Sequence, residues 1–171
     1  MGELAVTAIG ADRPGIIARV TGVLRERGGN LEDSSMTVLG GHFAIMLLVS
    51  TDADPRELES VLAAATDDLG LTVTVREVGA GTPTAPPTHV LSVYGSDRPG
   101  IVHAVARRLA ERGVNVTDLT TRVLEGERPV YAMMMEISLA EPDDADALAR
   151  LLATEVDGVD VSIHPLDVAT F

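Results

Sequence analysis

Two clusters in this chain carry the same acid, base, proline, glycine and isoleucine: Asp12-Arg13-Pro14-Gly15-Ile16 and Asp97-Arg98-Pro99-Gly100-Ile101. Each is followed at matching distance by an asparagine and an aspartate, Asn30 and Asp33 in the first copy, Asn115 and Asp118 in the second. These residue types suit recognition of a small zwitterion. A glycine near a helix N-terminus lets a ligand approach the free backbone N–H groups, which favour an anion such as a carboxylate. Asparagine and aspartate oxygens accept hydrogen bonds from an ammonium. With the two receptors side by side, the fitting ligand is a free amino acid. The same residues also make a plain helix start: Asp12 and Asp97 as side-chain caps, Pro14 and Pro99 in the first turn, Asn30 and Asn115 in the turn that leaves the helix. Residue types alone leave both readings open.

The elements that position these clusters repeat as well. Residues 3–9 and 89–94 are short β-favouring runs that end at Gly10 and Gly95. Ile16, Val20 and Leu24, and again Ile101, Val105 and Leu109, recur at every fourth position, so a helix with one apolar stripe follows each cluster. Gly28 and Gly113 then supply a left-handed cap. Strands are expected at 30–39 and 42–50, joined by Gly40-Gly41, and at 115–125 and 129–139, joined by the longer Glu125-Gly126-Glu127-Arg128. Second helices are expected over 55–69 and 143–156, and last strands in the alternating runs 71–75 and 159–163.

This order is βαββαβ, the ferredoxin-like arrangement of the α+β class, in which two helices cover one face of a four-stranded antiparallel sheet. Adjacent hairpin strands argue against a doubly wound parallel sheet, which alternates strand and helix throughout. The glycine-, proline- and threonine-rich stretch 79–87 reads as a linker between a first domain, 1–78, and a second, 88–171.

Residues 43–49 and 130–135 are apolar at successive positions, whereas a strand covered on one face should alternate. A second sheet, from the other copy or from another chain in a homodimer, is expected to cover the remaining face. Met133-Met134-Met135 reads as core filling.

Composition narrows the function. With 26 acidic against 13 basic residues and a net charge of −13, the chain is repelled by nucleic acid and by anionic membrane surfaces. No apolar run approaches a membrane span, so the cytoplasm is the expected location. The absence of cysteine excludes disulfides, thiolate catalysis and cysteine-ligated zinc. His42, His89, His103 and His164 lack ligand spacing, and no phosphate loop, nucleophile elbow or zinc-protease motif occurs, so neither cofactor, metal nor enzymatic activity is expected. The acidic stretches 51–55 and 141–147 precede the second helices and read as solvated caps.

The Asp-Arg-Pro-Gly-Ile cluster, followed by Arg27-Gly28-Gly29-Asn30 or Arg112-Gly113-Val114-Asn115 inside a βαββαβ unit, resembles the ACT domain family of amino-acid-sensing regulatory modules. The tandem layout resembles the glycine cleavage system transcriptional repressor family. The resemblance spans all but the linker and tail. It implies paired units with an amino acid at their interface, contacted by the turn after the first strand and the start of the second. Here those positions are Asp12, Arg13, Gly15, Ile16, Asn30 and Asp33, and Asp97, Arg98, Gly100, Ile101, Asn115 and Asp118. An amino-acid-responsive regulator working through a protein partner is therefore expected. The alternative from another class is a constitutive protein-interaction adaptor with empty sites, and an unrecognised enzyme is a third. Copy two has Val116 and Thr117 where copy one has Leu31 and Glu32, so the two sites are expected to differ.

Overall fold

Alternation of buried and exposed residues sets the first strand, β1 (Gly2–Ala11): Leu4, Val6 and Ala8 point to one side and are buried. The computed structural model describes residues 2–79, 85–126, 129–140 and 145–166. After β1 come α1 (Ile16–Glu26), β2 (Asn30–Leu39), β3 (His42–Thr51), α2 (Pro55–Ala65), a 3-10 turn (Asp67–Leu69) and β4 (Thr72–Val78). All pairings are antiparallel, in the order β2-β3-β1-β4.

Local chemistry explains the boundaries. Asp54 caps α2, its carboxylate accepting from the Arg56 and Glu57 N–H groups, and Pro55 takes the first helical position, where its missing N–H costs nothing. Gly28, at φ 69°, ends α1, and the Gly29 N–H reaches back to the Leu24 carbonyl at 2.8 Å, closing a Schellman turn. Gly40 and Gly41 both have positive φ, as a two-residue I′ hairpin requires. The expected helix 55–69 breaks at Thr66, whose hydroxyl turns back onto the Leu62 carbonyl at 2.8 Å before the 3-10 turn begins.

Ile16, Val20 and Leu24 of α1 and Leu58 and Leu62 of α2 pack on the Leu4, Val6, Leu47 and Val49 side of the sheet. The second unit repeats the plan with β5 (His89–Ser96), α3 (Ile101–Ala110), β6 (Asn115–Leu124), β7 (Val130–Ser138), α4 (Ala145–Glu155) and β8 (Val159–Pro165), in the order β6-β7-β5-β8. Its core joins Ile101, Val105 and Leu109 to Met133, Met135 and Leu152. The expected helix start at 143–144, part of the 125–128 hairpin and most of the linker lie outside the described residues.

One expectation needs correction. Gly10 and Gly95 do not end their strands, which run on to Ala11 and Ser96. In the doubly apolar strands, only the side facing the helices is covered within a unit: Met46 remains 49% exposed and Met134 48%.

Candidate functional site

Pro-Gly is a type II turn signature, with proline at the first central position and glycine at the second, where φ is positive. Gly15 has φ 94° and ψ −8°, and Gly100 has φ 96° and ψ −3°, which match that second position. Their carbonyls accept the first helical bonds, from the Arg19 and Ala104 N–H groups, each at 2.9 Å. Pro14 and Pro99 therefore sit in the turn before the helix and not in its first turn. Asp12 and Asp97 do not cap; neither α1 nor α3 has a side-chain cap or an acidic residue in its first turn. This corrects the cap and the proline placement of the helix-start reading. A Cβ on Gly15 or Gly100 would meet nothing within 4 Å, so glycine is needed for its backbone conformation, and the space above the turn is open.

The turn is tied down from below. Arg13 donates to the Asp68 carbonyl at 3.5 Å, while Arg19 donates to the Ala65 carbonyl at 2.7 Å and the Asp68 carboxylate at 3.1 Å. Ile16 and Ile101 are core residues, 2% and 4% exposed, so only their backbone can face a ligand. In the second unit Asp97, Arg98, Gly100, His103 and Tyr131 border an open depression of about 640 Å3.

Asn30 and Asp33 lie elsewhere. Asn30 is paired with Ser50, whose partner on β1 is Glu3, and Asp33 is paired with Leu48, whose partner is Ala5. Ala5 is six residues from the Ala11 end of β1, about 20 Å along a strand. Asp118 pairs with Glu136 and through it with Val90, again six residues from the Ser96 end. The expected side-by-side zwitterion receptor thus does not exist within one unit. The crossover helix is the reason: α1 carries the chain back about 16 Å before β2 begins.

The start of β2 has its own polar cluster. A bulge between Leu31 and Asp33 turns Glu32 toward its neighbours, and its carboxylate accepts from the Ser50 hydroxyl at 2.6 Å and the Asn30 amide at 2.8 Å. The Ser50 bond first, then the Asn30 bond, hold Glu32 below the usual carboxylate range. The Asp33 carboxylate accepts from the Ser34 N–H at 2.7 Å. In the second unit the bulge holds Thr117, whose hydroxyl donates to the Glu136 carbonyl at 3.3 Å, and Ser138 donates to the Ala85 and Pro86 carbonyls. The difference between Glu32 and Thr117 was visible in the repeat; the part played by Ser50 had no signal before strand pairing was known.

His89 is buried, with Nδ1 2.9 Å from the Thr88 hydroxyl. Among the described residues no group of three or more His, Asp or Glu side chains could hold a metal ion, and no helix is long and apolar enough to cross a membrane.

Comparison with known proteins gives a consistent picture. ACT domain models match residues 3–76 and 89–156. The glycine cleavage system transcriptional repressor of Escherichia coli is 29% identical over 147 residues, covering 84% of this chain and 77% of that protein. A phosphoserine phosphatase of Mycobacterium tuberculosis is 29% identical over 177 residues, covering 98% of this chain but 42% of the enzyme. The crystal structure of an unknown protein from Galdieria sulphuraria matches with a TM-score of 0.80 at 28% identity, covering 96% of this chain and 98% of that one.

Proposed function

The chain belongs to the ACT domain family through both of its repeats, and from that membership we propose that it is a non-enzymatic regulatory protein that binds a free amino acid and acts through a protein partner. The observation that carries this reading is the pair of helix mouths at Gly15 and Gly100. Both are held in the same conformation without a side-chain cap, whereas α2 of the same fold is capped by its own Asp54. Free N–H groups at a helix start favour a carboxylate.

In this proposal Asp12, Arg13, Gly15 and the Ile16 backbone, and their counterparts Asp97, Arg98, Gly100 and Ile101, form the carboxylate end of each site. Asn30 with Asp33, and Asn115 with Asp118, form the ammonium end. Because the two ends lie about 20 Å apart in one sheet, a complete site needs a second copy of the chain to bring the missing end. A homodimer also covers the apolar open face around Met46. Residues 79–87 serve as the linker between domains 1–78 and 88–171.

The net charge of −13 favours a protein partner over direct DNA contact, for a chain whose Escherichia coli relative is a transcriptional repressor. The proposed setting is the cytoplasm, where free amino acids are met.

A thermal-shift screen of the twenty amino acids, followed by calorimetry, tests the reading. A selective ligand at a hundredfold excess over its dissociation constant stabilises the fold by about 2.7 kcal/mol. No stabilisation by any of the twenty would replace the sensor with a constitutive adaptor, and turnover of the ligand would replace it with an enzyme.

A further inference from the structure

We infer that the open face of the second sheet holds a separate site for a molecule with a cationic group at one end and a carboxylate at the other, of which a basic amino acid is the simplest example. The site is distinct from the helix mouths at Gly15 and Gly100, and it shares Asp118 with the ammonium end proposed above.

Strand register places Asp118 of β6 directly opposite Glu136 of β7. Two carboxylates so placed repel each other and weaken the strand pair. A cation between them reverses the sign of that interaction and adds charge-assisted hydrogen bonds. Along β6, alternation keeps Thr120 and Arg122 on the same face as Asp118, with Arg122 opposite Ala132. The Cα atoms of Asp118 and Arg122 are about 13 Å apart on an extended strand, too far for the two residues to form an ordinary ion pair without bending the arginine back over the cleft.

Asp118, Glu136, Thr120, Arg122, Tyr94 and Met134 line one cleft of about 410 Å3. Among the described residues, no hydrogen bond or ion pair engages either carboxylate or the Arg122 guanidinium. The cleft therefore offers paired negative charge at one end, positive charge at the other, and between them a floor of Met134 and Tyr94, both about half exposed, on which methylenes can pack. An ω-amino acid chain has that order of groups.

The first sheet supplies an internal control. There Asp33 faces Leu48, and Thr37, opposite Ala44, occupies the position of Arg122. The corresponding depression, among Thr7, Ile9, Thr37, Ala44 and Met46, has no charged side chain in its lining. The charge pattern belongs to the second unit and not to the fold.

Calorimetry on the full chain with L-lysine, L-arginine and 6-aminohexanoate tests the site, with 1,5-diaminopentane as the probe that lacks a carboxylate. Saturable binding that depends on Glu136 and Arg122 is expected for the three carboxylate-bearing probes, and weaker binding for the diamine. Glu136→Leu, which installs the residue of the first sheet, is expected to weaken the three by about tenfold to a hundredfold, while raising the melting temperature of the free protein by removing the repulsion. Arg122→Thr is expected to weaken them but to strengthen binding of the diamine, whose second ammonium the guanidinium repels. The inference is overturned if none of the three binds saturably to folded protein, if binding survives both Glu136→Leu and Arg122→Thr, or if the diamine binds as tightly as the zwitterions. Binding lost in Gly100→Asn but kept in Glu136→Leu would also overturn it, by assigning the ligand to the helix mouth.

Discussion

Gly95 faces the carbonyl oxygen of Gly158 so closely that a Cβ on it would stand 2.8 Å from that oxygen. Gly10 stands in the same relation to the start of β4, where a Cβ would lie 2.7 Å from Leu71 Cδ2 and 3.0 Å from the Gly70 carbonyl. These glycines, inside strands, let the turn before the last strand of each unit close against the first. Gly95→Ala is expected to cost about 1–3 kcal/mol by overpacking. Gly10→Ala is expected to cost less, because its nearest contact is the tip of a movable leucine. Denaturant midpoints of the two variants check the order, and equal midpoints would contradict it.

Backbone conformation and ligand access can be separated at Gly15. Alanine there takes up a left-handed conformation at a cost of about 1–2 kcal/mol and meets no atom within 4 Å. Asparagine tolerates the second central position of a type II turn and brings a larger side chain into the open space. Gly15→Asn is therefore expected to keep stability closer to that of the parent than Gly15→Ala does, while losing amino-acid affinity at the first helix mouth. Melting curves and calorimetry on both variants decide the matter. Unchanged affinity in the asparagine variant would leave the mouth as a structural turn only.

Glu32 should reveal its partners by titration. Its hydrogen bonds from Ser50 and Asn30 favour the ionised form, so its folded midpoint lies below the unfolded one. The stability it contributes is present above the unfolded midpoint and is lost as pH falls through the folded one. Carboxyl NMR is expected to show Glu32 titrating below ordinary glutamates, and Ser50→Ala to move it upward. An unmoved midpoint in Ser50→Ala would remove Ser50 as the main cause.

Met46 lies opposite Thr7 on the open face of the first sheet. It is half exposed within its unit, so Met46→Glu is expected to leave the fold intact. If that face pairs two chains, a charge at its centre costs burial without a partner, and light scattering should show the mass falling to that of a monomer. Parent and variant of equal mass would place any dimer contact elsewhere.

Inside the core, Leu62 of α2 is fully buried beneath the sheet. Leu62→Ala is expected to cost about 2–5 kcal/mol, transfer and cavity terms together, read from the denaturant midpoint.

Local patterns carried most of the fold. The repeat announced itself in Asp12-Arg13-Pro14-Gly15-Ile16 and its copy, the helices in the fourfold spacing of Ile16, Val20 and Leu24, and the first hairpin in Gly40-Gly41. Helix stripes, strand alternation and turn glycines are short-range consequences of backbone geometry, and so can be read residue by residue. Pro14-Gly15 is equally local, but a proline near a helix N-terminus suits both a helix start and a type II turn, so the residue types do not choose between them. Distances between clusters were decided only by the tertiary structure. Asn30 follows Gly15 closely in the chain, yet α1 and the antiparallel register send it to the far end of the sheet. Asp118 and Glu136 are remote in sequence, yet pairing of β6 with β7 sets them face to face. Which residues share a site depends on which strands pair and in what register, and register follows from burial of a whole sheet face at once, a property that no single segment possesses.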